Sequence, residues 1–225
     1  MEIAEIYTLF DAIGCCTFAT IDGDYPETRI ARFAAYDHEG LYFMTSTAKP
    51  FYKQLKETGK VSVCGMNAKT AVAPTADGSV HIDAGYMVRL SGEVREVSTE
   101  ELRAKNNDAF AFCLADQERY PADTVFVVYR AKGEIFDYDF EKEYRDHKLE
   151  RERFSYGGFP IVAPGLTITD QCVGCGTCQD VCTFDAVVAD GARYRINGSR
   201  CDECGTCVVT CPVGAILDKG GHADR

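Results

Sequence analysis

The apolar positions at the start, Ile3, Ile6, Leu9, Phe10 and Ile13, recur every three or four residues and predict an amphipathic helix. The pattern then changes to short runs of β-branched and aromatic residues broken by turn formers. Cys16-Thr-Phe-Ala-Thr-Ile21 runs into Asp22-Gly23-Asp24, Arg29 to Tyr36 runs into Asp37-His-Glu-Gly40, and Leu41 to Thr45 follows, which predicts a β-meander. Pro50, well suited to a first helical turn, opens a helix through Glu57 that Gly59 stops. Strands resume at Val61 to Cys64, at about Val80 to Val97 and at Val125 to Tyr138. Between the last two, Ser98-Thr-Glu-Glu101 forms a capping box for a helix reaching about Leu114.

Composition narrows the function. The 225 residues are 46% hydrophobic and 26% charged, a globular balance with length for one sizeable core and a small annex. A net charge of −11 argues against nucleic acid as a partner. No apolar run approaches the roughly 18 residues of a membrane span, and the opening Met-Glu-Ile-Ala-Glu lacks the basic region of a secretory signal, so a cytoplasmic protein without a membrane partner is expected.

The 12 cysteines are unevenly placed, with eight of them between Cys172 and Cys211. This divides the chain into a body (1–145), a charged and then Gly/Pro-rich linker (146–164) and a cysteine-dense tail (165–225), with body and tail both acidic. The tail is an internal repeat: Cys172-Val-Gly-Cys175-Gly-Thr-Cys178-Gln-Asp-Val-Cys182, then Cys201-Asp-Glu-Cys204-Gly-Thr-Cys207-Val-Val-Thr-Cys211-Pro212. In this spacing, three close thiolates wrap one iron–sulfur cube and the fourth reaches to the other copy's cube. Two [4Fe–4S] clusters are expected, one on Cys172, Cys175, Cys178 and Cys211 and one on Cys201, Cys204, Cys207 and Cys182. Zinc, which prefers four ligands in two pairs, fits a doubled three-plus-one pattern poorly. Between the copies, Ala186 to Ile196 reads as a hairpin around Asp190-Gly191. Over about residues 165–218 the tail resembles the bacterial-type two-cluster ferredoxins, with Thr183 standing where that family prefers a proline.

The body carries a second resemblance. Ala19 to Arg32, followed by Leu41-Tyr-Phe-Met-Thr-Ser46-Thr-Ala-Lys49-Pro-Phe-Tyr-Lys53-Gln-Leu55, is similar to the FMN-binding split barrel of the pyridoxamine 5′-phosphate oxidase superfamily. The fold class implied is mainly β with α (α+β), a split β-barrel followed by a small α+β ferredoxin-like domain. The resemblance assigns the flavin to Arg29, Ile30, Ala31 and Arg32 on one strand and to Met44, Thr45, Ser46, Lys49 and Lys53 at a strand–helix junction. The residues themselves suit a phosphate: two hydroxyls beside a helix N-terminus with Arg29, Lys49 and Lys53 adding positive charge. By plain alternation Arg29 and Arg32 face opposite sides. The resemblance also implies a homodimer with flavins at the subunit interface. Where the family's vitamin-oxidising members end in a basic, histidine-containing segment, this chain has its cysteine tail, so FMN is implied more strongly than that substrate.

Cys15, Cys16, Cys64 and Cys113 lie in apolar stretches and read as packing residues. The four histidines, His38, His81, His147 and His222, share no spacing, and no general acid or base stands out. No dinucleotide-binding glycine fingerprint is found. Clusters carry single electrons and FMN takes one or two, so the expected function is an iron–sulfur flavoprotein oxidoreductase acting on a small organic substrate or a flavin. The alternatives are an electron-carrier module for a partner redox protein, which an acidic surface would favour, or a redox sensor.

Overall fold

The computed structural model describes residues 1–67, 72–74, 80–82, 85–139, 148–160 and 165–218. The elements in chain order are α1 (Ile3–Ile13), β1 (Cys16–Asp22), β2 (Tyr25–Ala31), β3 (Phe33–Tyr36), β4 (Leu41–Ser46), α2 (Pro50–Thr58), β5 (Lys60–Asn67), β6 (Val72–Pro74), β7 (Val80–Ile82) and β8 (Tyr86–Val97). They continue with α3 (Thr99–Ala104), a 3-10 turn (Asp108–Phe110), α4 (Ala111–Leu114), β9 (Asp123–Asp139), β10 (Lys148–Tyr156), β11 (Leu166–Ile168), α5 (Thr177–Asp180), β12 (Val187–Asp190), β13 (Arg193–Ile196), α6 (Thr206–Thr210) and β14 (Ile216–Asp218). The chain forms two compact units. One comprises Met1–Asn67, Met87–Glu134 and Arg153–Ile161, and the other Ala68–Tyr86, Ile135–Glu152 and Val162–Arg225.

The first unit is built on a mainly antiparallel sheet in the order β2-β1-β5-β8-β9-β4-β3, with β10 added beside β9. The stretch from Arg29 to Tyr36, expected as one strand, is two. β2 pairs with β1 as far as Ala31, Arg32 leaves the ladder, and β3 pairs with β4 through a register shift between Phe33 and Ala35. Consecutive strands thus lie at opposite ends of the sheet order, which is sterically possible only if the sheet curls. The aromatic core records the curl: Phe18 of β1 lies 5.2 Å from both Phe33 of β3 and Phe43 of β4, ring centre to ring centre. Phe10 of α1 closes on Phe33 at 5.1 Å, and Phe51 of α2 on Phe43 at 5.7 Å. These rings are essentially sequestered from water, and aromatic burial on this scale dominates the stability of such a core.

The other face of β4 is covered too. Tyr42 packs with Leu102, Phe110 and Cys113, so β4 is apolar on both faces instead of alternating. The expected helix from Ser98 to Leu114 is broken: Ser98 does cap α3, accepting from the Glu101 N–H at 3.1 Å, but Asn106 takes φ 46° and Asn107 caps a fresh 3-10 turn. Cys16 and Cys113 are buried as packing residues, and burial pushes each thiol up to about 11, whereas Cys15 and Cys64 are exposed, contrary to expectation. His147 and His222 lie outside the described residues.

The β3–β4 turn is held by a charge cluster. Lys105 Nζ reaches Asp37 at 2.8 Å and Glu39 at 3.0 Å, and the Tyr42 hydroxyl donates to Asp37 at 2.9 Å. Burial alone would raise the Asp37 and Glu39 carboxyls, but Lys105 in both cases, with Arg95 at Glu39, holds them below their ordinary values. Carboxyls depressed in the folded state contribute stability that is complete above the usual pKa of about 4 and is lost as pH falls through the folded values. Lys105→Met is expected to cost about 2–3 kcal/mol in urea unfolding at neutral pH, because Asp37 is left largely buried without its cation and Glu39 keeps only Arg95. The same titrations below pH about 4 should show this difference shrinking.

The stretch expected to link body and tail is partly regular. Phe154 and Tyr156 alternate with charged and polar neighbours in β10 and are buried, and the Tyr156 hydroxyl donates to the Val128 carbonyl at 2.9 Å. The charges around them disguise a strand as a linker; residues 146–147 and 161–164 lie outside the described part. In the second unit the hairpin β12–β13 turns at Gly191 as expected, β11 pairs antiparallel with β14, and the core is Cys178, Val187, Cys207 and Ile216.

Candidate functional site

The first unit holds an open cleft of about 690 Å³ where β2, the end of β4 and the start of α2 come together. It is lined by Arg29, Ile30, Ala31, Arg32, Met44, Thr45 and Lys49, all expected there, and by Phe51, Gln54 and Phe112. Ser46 and Lys53 are not among its lining residues, and Lys53 is exposed on α2. Thr45 shares a face of β4 with the buried Phe43.

Arg29 is the best-held of these groups. Its Nη1 donates to the Thr20 hydroxyl at 2.6 Å, Thr20 donates to Gln54 Oε1 at 2.6 Å, and Gln54 Nε2 donates to Asp22 at 3.1 Å. Its guanidinium lies 4.3 Å from the Phe51 ring centre. Burial lowers its pKa while Glu27 and Asp22 oppose this, and no ion pair neutralises it among the described residues. Arg32 instead pairs with Asp11 at 3.2 Å in a solvated setting while also edging the cleft.

The remaining donors converge on the same place. Lys49 caps α2 with extended backbone and no side-chain cap bond, Pro50 follows in the first turn, and Lys49 N–H returns to Ser46 O at 3.0 Å. Pro50 has no N–H and the Tyr52 N–H donates to Lys49 O at 3.1 Å, which leaves the Phe51 N–H at the positive end of a nine-residue helix that no side chain caps. The buried Thr45 Oγ1 has no hydrogen-bond partner among the described residues. An orphaned hydroxyl, an unneutralised guanidinium, an ammonium and an uncapped helix start suit a phosphate, while Ile30, Met44 and Phe112 offer an apolar surface to a flat ring, so the residues present fit FMN.

Thr20 and Gln54 were not singled out in the sequence, although a signal existed. Thr20 shares the inward face of β1 with Cys16 and Phe18, and Gln54 shares the buried face of α2 with Phe51 and Leu55. A polar side chain at an apolar position needs a partner, and these two partner each other.

In the second unit a separate small cavity is lined by Cys172, Cys175, Cys178 and Cys211, together with Tyr194 and Pro212. Three of these cysteines come from the first copy of the repeat and the fourth from the second. Burial first, and then the neighbouring Cys201, Cys182, Cys204 and Cys178 thiols, push the Cys207 thiol up to about 11. Each copy turns into its helix at a left-handed glycine, Gly176 at φ 83° and Gly205 at φ 78°. Backbone N–H groups point at sulfur: Ala186 to Cys182, Ala215 to Cys211 and Glu203 to Cys201, each at 3.3 Å. At Cys201 burial raises the thiol's pKa, the Glu203 N–H lowers it, and the Glu203 carboxylate and Arg151 guanidinium act in opposite senses. Among the described residues no three His, Cys, Asp or Glu side chains are placed to grip a single metal ion. Thiols spread around a cavity with amides aimed at their sulfurs fit the corners of an iron–sulfur cube.

Residues 3–135 match the family described as pyridoxamine 5′-phosphate oxidase, and residues 171–216 match the 4Fe-4S dicluster domain. Among solved structures, the chain is similar to a nimc/nima family protein from Clostridium acetobutylicum (24% identity over 69% of this chain and 92% of that one, TM-score 0.48). It is also similar to a putative pyridoxamine 5′-phosphate oxidase from Listeria innocua (14%, 55% and 88%, TM-score 0.39). A third is a pyridoxamine 5′-phosphate oxidase-related, FMN-binding protein from Nostoc punctiforme (12%, 67% and 95%, TM-score 0.40). No curated protein matches.

Proposed function

The chain belongs to the pyridoxamine 5′-phosphate oxidase family through residues 3–135, and on that premise we propose that it is an iron–sulfur flavoprotein oxidoreductase that passes electrons between two [4Fe–4S] clusters and FMN to reduce a small organic substrate or a flavin. The observation that carries this reading is the coexistence, in one polypeptide, of a cleft where Arg29 and Lys49 have no ion pair among the described residues and a cavity ringed by cysteines from both repeat copies. When bound, clusters supply single electrons and FMN supplies a centre that takes one or two.

The chain's own residues do the holding. Arg29, fixed by Thr20 and Gln54, and Lys49 would bind the phosphate from two sides, with Thr45 donating its hydroxyl. Ile30, Met44 and Phe112 would keep water from the ring. Exposure of large apolar groups at and near the cleft, with Ile30 at 69%, Phe112 at 68% and Tyr25 at 74%, supports a homodimer in which a second copy covers this side. Among the described residues no helix is long and apolar enough to cross a membrane.

The test is reoxidation of the anaerobically reduced protein, followed by flavin absorbance. Free flavin or a small organic acceptor should reoxidise it at a rate that saturates with acceptor concentration. Reoxidation by protein acceptors alone, falling steeply with salt, would instead assign the chain to electron carriage without a substrate of its own.

A further inference from the structure

The two halves of the cysteine repeat have unequal surroundings. Where the first copy has Gly174, at φ 72°, the second has Glu203, a non-glycine residue in the same left-handed region at φ 61°. At Gly174 a Cβ would lie 2.4 Å from the Ala192 carbonyl oxygen, so the first copy has no room for a side chain. The second copy accommodates one, and it is charged.

The Glu203 N–H donates to Cys201 Sγ at 3.3 Å, and its carboxylate accepts from Arg151 Nη1 at 2.8 Å. The Arg151 side chain is 5% exposed and its guanidinium lies 4.4 Å from the Phe136 ring centre. The Arg151 backbone N–H donates to Ser199 O at 2.8 Å. Arg151 therefore grips the chain on both flanks of Cys201, two residues before it through the backbone and two residues after it through the side chain. A cation this deeply buried interacts strongly with any charge added beside it. Neither Val173 nor Gly174 brings a charge to the corresponding place in the first copy.

We propose that Arg151, together with Glu203, is a positioning residue pair that sets the reduction potential of the cluster held by Cys182, Cys201, Cys204 and Cys207 and leaves the other cluster's potential untouched. This rests on the two-cluster reading above. Reduction adds one electron to the cluster and makes it more negative, so a fixed guanidinium favours the reduced state and a fixed carboxylate the oxidised state. The two clusters would then be inequivalent, giving electrons a preferred resting place.

The experiment is potentiometry of the anaerobically purified full chain, with dithionite as the electron source and electron paramagnetic resonance as the readout. Arg151→Gln should lower one of two potentials, Glu203→Gln should raise the same one, and Arg151→Lys should stay near the parent. The second potential and the iron content should hold throughout. Opposite shifts cannot come from general loosening of the domain. If both charge variants leave the potentials unmoved, or shift them in the same direction, the proposal is overturned. Should Arg151→Gln lose iron, Glu203→Gln decides alone, a rise supporting the proposal and no rise overturning it. A parent chain without iron would remove the two-cluster reading itself, and this is seen before any variant is compared.

Discussion

Cys211→Ala is expected to halve the iron content, from about eight to about four per chain, and to leave FMN bound. The iron lost should be that held by Cys172, Cys175 and Cys178, although Cys211 lies nearest in sequence to Cys201, Cys204 and Cys207. The reason is that Cys211 lines the first copy's cavity, with the Ala215 N–H aimed at its sulfur. Paired variants read the assignment. Adding Cys175→Ala to Cys211→Ala should cost no further iron, because both remove ligands of one cluster, whereas adding Cys204→Ala should remove the rest. The reverse outcome, with Cys211 and Cys175 together emptying the chain, would assign each cluster to a single copy. Cluster loss should also loosen the second unit, since Cys178 and Cys207 are buried in its core with Cys182 and Cys211 packed against it, and metal binding is coupled to folding in domains this small.

The second large effect concerns the cleft. Arg29→Ala with Lys49→Ala is expected to weaken FMN binding by about 100-fold or more, since each removes a charge-assisted hydrogen bond of about 1.5–3 kcal/mol. Lys53→Ala should change affinity by less than about twofold, because its side chain is exposed away from the cleft. Gln54→Leu should fall between them: it removes no charge from the cleft but leaves Thr20 without its acceptor and Arg29 without a fixed seat. Fluorescence titration of the apoprotein with FMN measures these variants, and urea unfolding shows that they fold. Equal loss from Lys49→Ala and Lys53→Ala would place the phosphate along the exposed face of α2 instead.

What could be read from the chain beforehand follows from what carries local information. The cysteine spacing is a local instruction, and Gly176 and Gly205 sit at the turns it requires. The helix at Pro50 and its stop at Gly59 are likewise local, the latter in the left-handed conformation at φ 63°. The break at Arg32 was invisible because strand residues continue on both sides of it, and only the curl of the sheet separates β2 from β3. β10 was hidden by the charges that alternate with Phe154 and Tyr156. In the cleft, the charged residues are legible from their type and place, but the family resemblance that assigns Lys49 and Lys53 together does not show that only Lys49 lines it. The Thr20–Gln54 seat of Arg29 joins residues far apart in sequence, which no local pattern reveals.

Electron exchange within one chain is measured most directly by anaerobic stopped-flow, in which a limiting amount of one-electron reductant reaches the cluster-loaded, FMN-loaded protein and flavin bleaching is followed at several protein concentrations. The expected result is a first-order rate that does not change with protein concentration. A rate that rises in proportion to concentration, or no bleaching while the clusters are reduced, would contradict it.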